Sequence, residues 1–116
     1  MMMDVSFILS QNELYTLLSA EPKRTEAGAM FLETALSGAE RCDLSGLVER
    51  KLARRVSSGP EPAPVIAMLS CAISQADSAE ESGGIWEISS QWLSIRCEAY
   101  PYQEEHLKIT LLEGSL

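Results

Sequence analysis

The chain has 116 residues, of which 46% are hydrophobic and 22% are charged, and its formal net charge is −8. These values are typical of one globular domain, and we expect residues 1–116 to fold as a single unit. The acidity argues against general affinity for nucleic acid or anionic membranes, because their phosphates would repel the chain.

The first elements predicted along the chain are a short strand and a capped helix. The alternation of apolar residues over 5–9 suggests a strand or an extended lead-in. Ser10 and Glu13 then match a capping box, in which the side chain of each residue accepts a hydrogen bond from the backbone amide of the other. The helix should continue to about residue 19 and end before Pro22.

Three further helices are predicted before residue 76. The second covers about residues 25–36, with Thr25 as its cap and Gly38 as its left-handed stop. The third follows Asp43 and carries residues 50–55 at its C-terminal end. After a Gly/Pro-containing break, the fourth begins near Pro64, a residue suited to the first helical turn.

The last third of the chain is predicted to be a β-meander. Residues 77–84 are interpreted as an acidic loop, and residues 85–113 as strands in which apolar and polar residues alternate. Such alternation is typical of an antiparallel sheet with one buried face. The sequence therefore predicts an α+β fold, in which about four helices within residues 10–76 pack on one face of a small C-terminal antiparallel sheet.

This fold implies a specific core. The inward strand residues should be Leu93, Ile95, Cys97, Leu107, Ile109 and Leu111. The helices should contribute Leu14, Leu17, Met30, Phe31, Ala35, Leu47, Leu52, Met68 and Leu69. Ser94 and Thr110 should lie on the opposite, solvated face of the sheet.

No combination of residues indicates catalysis, and we expect neither an enzyme nor a bound cofactor or metal. The single histidine, His106, falls on the solvated side of a strand, and Cys97 falls on the apolar side. The scattered cysteines do not have the spacing of zinc ligands, and no phosphate-binding glycine motif is present.

The sequence also indicates a cytoplasmic protein. No apolar stretch approaches membrane-spanning length, and the first residues do not resemble a signal peptide. Three widely separated cysteines favour reduced thiols over a disulfide framework.

Four basic residues, Arg50, Lys51, Arg54 and Arg55, lie at the predicted end of the third helix. In one interpretation this helix is the recognition helix of a winged-helix DNA-binding regulator. The alternative is that cations are favoured at a helix C-terminus by the macrodipole. We prefer the second interpretation because the whole chain is acidic.

Four aromatic residues, Trp86, Trp92, Tyr100 and Tyr102, are the candidates for binding a partner protein. Trp92 falls on the polar face of its predicted strand, and exposed aromatics near a sheet edge are common interface anchors. The alternative is that the helices cover these side chains.

Segments 10–14, 44–52, 86–89 and 93–96 together resemble the EspG-type chaperones of type VII secretion. The resemblance implies an α+β adaptor that binds secreted helical substrates without performing chemistry. We therefore expect a non-enzymatic protein-binding adaptor, whose partner is a helical secreted client or a second copy of the chain. The alternatives are the DNA-binding regulator and a small effector or immunity protein.

Overall fold

The computed structural model describes residues 5–57, 59–91 and 93–113. These residues form seven strands and four helices, which confirms the α+β class. In chain order they are β1 (Val5–Ser10), α1 (Gln11–Ser19), α2 (Glu26–Ala35), α3 (Ser45–Glu49), β2 (Ala53–Val56), β3 (Gly59–Pro62), α4 (Pro64–Ser74), β4 (Ser78–Ser82), β5 (Ile85–Ser89), β6 (Leu93–Ala99) and β7 (His106–Glu113).

Five strands form one antiparallel sheet in the order β1-β7-β6-β5-β4, and β2 and β3 form a separate hairpin. Phe7, Ile109 and Cys97 lie side by side across β1, β7 and β6. The apolar face that contains this row shares one buried cluster with apolar residues of all four helices. The other face carries charged residues such as Arg96 and Lys108, so it is the polar side of the sheet.

The predicted register of β6 and β7 is confirmed. The inward residues Ile95, Cys97, Leu107, Ile109 and Leu111 are buried, and Leu93 is half-buried. Thr110, which we expected in solvent, is only 8% exposed. The reason is the pairing of β1 with β7, which we did not predict and which places Ser6 opposite Thr110 with their hydroxyl oxygens 3.2 Å apart.

The capping box predicted for α1 is present. The Glu13 amide donates to Ser10 Oγ at 3.0 Å, and the Ser10 amide donates to Glu13 Oε1 at 2.9 Å. Leu14, Leu17 and Leu18 follow at helical spacing and are buried. The cap thus fixes α1 directly at the end of β1, with its apolar stripe turned into the core.

The start of α2 lies against the last turn of α4. Thr25 caps α2 by accepting a hydrogen bond from the Gly28 amide at 3.1 Å, and its own amide donates to the Ser74 carbonyl at 2.9 Å. A Cβ atom at Gly28 would collide with that carbonyl oxygen and would lie 2.8 Å from the Ile73 carbonyl oxygen. Glycine therefore permits the close approach of these two helices.

The prediction that helix continues through residues 50–55 is wrong. α3 ends at Glu49, Lys51 adopts a φ of 63°, and the chain then enters the β2–β3 hairpin. A left-handed residue ends a helix, and the Leu52 amide donates back to the Leu47 carbonyl at 2.7 Å to close that end. The predicted helical region 10–76 is therefore interrupted by a hairpin.

The acidic segment 77–84, which we predicted to be a loop, forms β4 and its turn into β5. Gly83 and Gly84 have φ values of 60° and 86°, and such positive angles are required by the tight turn that joins two antiparallel strands. Pairing with β5 outweighs the low strand propensity of the glutamates.

Two methionines predicted to face the core are exposed instead. Met30 is 41% exposed and Met68 is 43% exposed. In α4 the inward positions belong to Ile66, Leu69 and Ile73, whose spacing leaves residue 68 to one side of the buried stripe.

Among the described residues, no helix has the length and apolar character to cross a membrane.

Candidate functional site

A groove with a volume of about 670 Å³ lies beside the β2–β3 hairpin. We call it the hairpin groove. It is lined by Val48, Lys51, Ala53, Arg54, Glu61, Pro62, Ala63, Pro64 and Ala67. The hairpin, the end of α3 and the first turn of α4 each contribute part of this lining, and six of the nine residues are apolar.

Small side chains and prolines create the space in the groove. Ala53, Ala63 and Ala67 lie where larger residues would fill it, and Pro62 belongs to its wall. The Ala63 amide donates to the Leu52 carbonyl at 2.9 Å, and Pro64 then opens α4. Proline fixes its own φ, so this wall is stiff before any ligand arrives.

The rim of the groove carries three charged side chains. Arg54 and Glu61 face each other across the hairpin, with 2.6 Å between Nε and Oε2. Both are well exposed, so this ion pair contributes little to stability. Within the described part of the chain Lys51 forms no ion pair, which leaves one uncompensated positive charge beside an apolar floor.

The structure separates the four basic residues that the sequence placed on one helix. Arg50 donates from Nη2 to Glu13 and from Nη1 to the Ile8 carbonyl, so it links structural elements. Lys51 and Arg54 line the hairpin groove. The backbone of Arg55 belongs to β2, and its side chain lies outside the described part of the structure. No recognition helix is formed by residues 50–55.

The four aromatic candidates are also divided. The ring of Trp86 packs edge-on against Phe31 of α2 with centroids 5.4 Å apart, which makes it part of the core margin. Tyr100 and Tyr102 form a second edge-on pair at 5.4 Å in the β6–β7 turn, where Tyr102 is 84% exposed. Trp92 lies outside the described residues.

Among the described residues, His106 and Cys97 lie on opposite faces of the sheet. The His106 ring Nδ1 lies 2.7 Å from the Glu104 carbonyl oxygen. Burial raises the pKa of the Cys97 thiol to about 12, and the Glu98 carboxylate adds to this effect. Over residues 5–57, 59–91 and 93–113, no three His, Cys, Asp or Glu side chains come together as metal ligands. The hairpin groove is suited to binding by apolar contact and charge.

Sequence reasoning missed this groove because its floor consists of small residues from separate elements. Val48, Ala53 and Ala67 are unremarkable in sequence, and only folding brings them together. The one available signal was the alternating proline segment 60–64, which predicts a rigid extended wall rather than a loop.

No protein-family model, curated protein or solved structure matches this chain.

Proposed function

We propose that this protein is a non-enzymatic adaptor that binds an amphipathic helical segment of a partner protein in the hairpin groove. The observation that supports this proposal is an apolar depression with Lys51 at its rim, a cation that has no ion-pair partner among the described residues. An apolar side chain of the partner fills the groove, and a partner carboxylate approaches Lys51.

The energetic argument begins with the groove floor. Ala53 is 8% exposed, and Val48, Pro62 and Ala63 are half-buried, so their remaining apolar surface is available to a ligand. Fully burying one leucine-sized side chain contributes about 1.5–3 kcal/mol. A volume of about 670 Å³ lies within the range of ligand-binding clefts. The groove therefore has room for one or two such anchoring side chains.

The charge argument selects an acidic segment. The net charge of −8 makes most of the surface repel acidic partners, whereas Lys51 offers a local attraction at the groove. Helices that bind grooves present anchors at positions i, i+3, i+4 and i+7, and acidic residues can flank these anchors. Such a helix matches the expected helical client. Its origin as a secreted protein stays a prediction from the family resemblance.

The proposal is tested with a fluorescein-labelled helical peptide that carries leucines at those anchor positions and glutamates elsewhere. We expect saturable binding by fluorescence anisotropy. A peptide with lysines in place of glutamates should bind at least about tenfold more weakly. Equal binding of both peptides, or preference for the lysine peptide, would contradict the proposal where Ala67→Glu in the groove lining alters the binding of both.

A pair of neighbouring substitutions locates the site. Ala67→Glu puts a carboxylate into the groove lining and should weaken binding. Met68→Glu adds the same charge at the next exposed position of α4, outside the lining, and should bind like wild type. If both variants lose binding equally, the groove is not the site.

Duplex DNA in the same assay tests the regulator alternative, for which we expect only weak, salt-sensitive binding.

A further inference from the structure

The second surface of interest is the free edge of the five-stranded sheet at β4. A sheet has two edge strands, which here are β1 and β4. Edge strands expose backbone amides and carbonyls that can pair with another strand. The two edges differ in how these groups are used.

The β1 edge is partly occupied by the chain itself. The Ile8 carbonyl accepts a hydrogen bond from Arg50 Nη1 at 2.7 Å, and the Ser10 amide is used by the Glu13 carboxylate. These contacts cap the outward backbone groups at two positions of the strand. An incoming strand would have to displace Arg50 to pair along β1.

On the β4 edge, no described residue donates to or accepts from the outward backbone groups, although α2 packs beside this strand. The two-residue turn Gly83-Gly84 closes on Ser82 and Ile85, which form a hydrogen-bonded pair in this type of hairpin. The pattern then alternates, so the amides and carbonyls of Glu81 and Ala79 point away from β5. No hydrogen bond from another described residue reaches them.

Charge indicates which strand would pair there. Glu80 and Glu87 are directly paired across β4 and β5 and project from the polar face, where Glu98 also lines a depression of about 480 Å³. Arg96 is the one cation that the described residues contribute to this lining, and its Nη2 lies 3.9 Å from Glu87 Oε1. A second copy pairing antiparallel through β4 would bring like charges opposite each other, which is unfavourable.

We propose that the β4 edge is a strand-addition site for an extended basic peptide segment. The backbone of the segment pairs with Ala79 and Glu81, and its alternate lysine or arginine side chains meet Glu80 and Glu87 on the polar face. This mode obtains affinity from main-chain hydrogen bonds and specificity from alternate side chains. The site is separate from the hairpin groove and takes the opposite charge.

The test uses a fluorescein-labelled peptide in which lysine alternates with valine. Two control peptides match it, one with glutamate for lysine and one with N-methyl groups on every backbone amide. We expect saturable binding of the lysine peptide and at least about tenfold weaker binding of both controls. Equal binding of the N-methylated peptide would overturn the proposal, because charge alone would then explain binding.

Variants of Glu81 separate the backbone from the charge. Glu81→Pro removes an outward amide that β5 does not use, and proline is tolerated at such edge positions. Glu81→Gln removes the same charge but keeps the amide. Peptide binding should be lost in the proline variant and retained within about threefold in the glutamine variant, with similar thermal melts for both. Equal binding of the two variants would overturn the proposal.

Two direct measurements complete the test. Hydrogen exchange of the Ala79 and Glu81 amides should slow when the lysine peptide is added, and unchanged exchange would contradict strand addition. Sedimentation of the wild-type chain should show a monomer, because the β4 edge does not pair with a second copy. Dimerisation that Glu81→Pro abolishes would assign this edge to a second copy and overturn the proposal. The groove variant Ala67→Glu should bind the lysine–valine peptide as tightly as the wild type does. Failure of the groove proposal can therefore be distinguished from failure of the strand-addition proposal.

Discussion

Arg50 Nη2 lies 2.5 Å from Glu13 Oε2, and this ion pair joins α1 to the residue that follows α3. The same guanidinium donates to the Gly46 carbonyl at 3.1 Å and to the Ile8 carbonyl at 2.7 Å. Glu13 is only 8% exposed and also accepts from the Ser10 amide. One arginine thus connects β1, α1 and α3, while its carboxylate partner serves as half of a helix cap.

Arg50→Ala should therefore destabilise the fold. The buried Glu13 carboxylate would lose its counter-charge, and we expect a decrease of about 1–3 kcal/mol in the free energy of unfolding. Arg54→Ala is the matched control, because Arg54 also pairs with a glutamate but is well exposed. It should cost at most about 1 kcal/mol in urea denaturation. An equal decrease in the free energy of unfolding of the two variants would show that the Arg50 contacts stabilise the fold no more than an exposed ion pair does.

Gly28→Ala should also destabilise the protein, although alanine is normally better than glycine within a helix. The added methyl group would press on the backbone of α4 near Ser74, and overpacking of this kind costs about 1–3 kcal/mol. Thr34→Ala, at an exposed position of the same helix, should be neutral or slightly stabilising. A higher melting temperature for Gly28→Ala would disprove the close approach of α2 and α4.

Lys51 and Glu105 offer a matched pair, because they are described non-glycine residues with positive φ, at 63° and 58°. Glycine adopts this conformation without strain, so Lys51→Gly and Glu105→Gly should each fold at least as stably as wild type, within about 1 kcal/mol. Only Lys51→Gly removes the cation at the hairpin groove. If only Lys51→Gly loses binding of the acidic peptide, the Lys51 charge contributes to binding. Equal binding of the peptide by both variants would refute a role for this charge.

Cys97 should resist alkylation in the folded protein. Its thiol is buried and its pKa is raised from 9.0 to about 12, so very little thiolate exists at pH 8. Iodoacetamide should modify the half-buried Cys42 and Cys71 before Cys97, as read by mass spectrometry of peptides. Rapid modification of Cys97 under native conditions would contradict its burial.

The same pKa difference predicts a loss of stability in alkali. Above pH 9 the unfolded chain releases the Cys97 proton, whereas the folded chain retains it until about pH 12. The unfolded state therefore binds fewer protons, and the free energy of unfolding falls as pH rises through this window. The contribution of this thiol is isolated by comparing the wild-type pH profile with that of Cys97→Ala, which should lack it.

Local sequence signals determined much of the architecture. Ser10 and Glu13 specified the start of α1 because both partners of the cap lie within one helical turn. The alternation in β6 and β7 specified which side chains are buried, because the side-chain period of a strand is two residues. These features depend on neighbours in the chain, so composition and spacing were sufficient to predict them.

Tertiary contacts decided the rest. Pairing with β5 made a strand of the acidic segment at β4, and the left-handed Lys51 turned an expected helix into a hairpin. The hairpin groove exists only because α3, β2, β3 and α4 meet, and the sequence around its small residues does not predict this meeting. The physical reason is that strand pairing and close packing depend on residues far apart in the chain, whose joint free energy no local propensity contains.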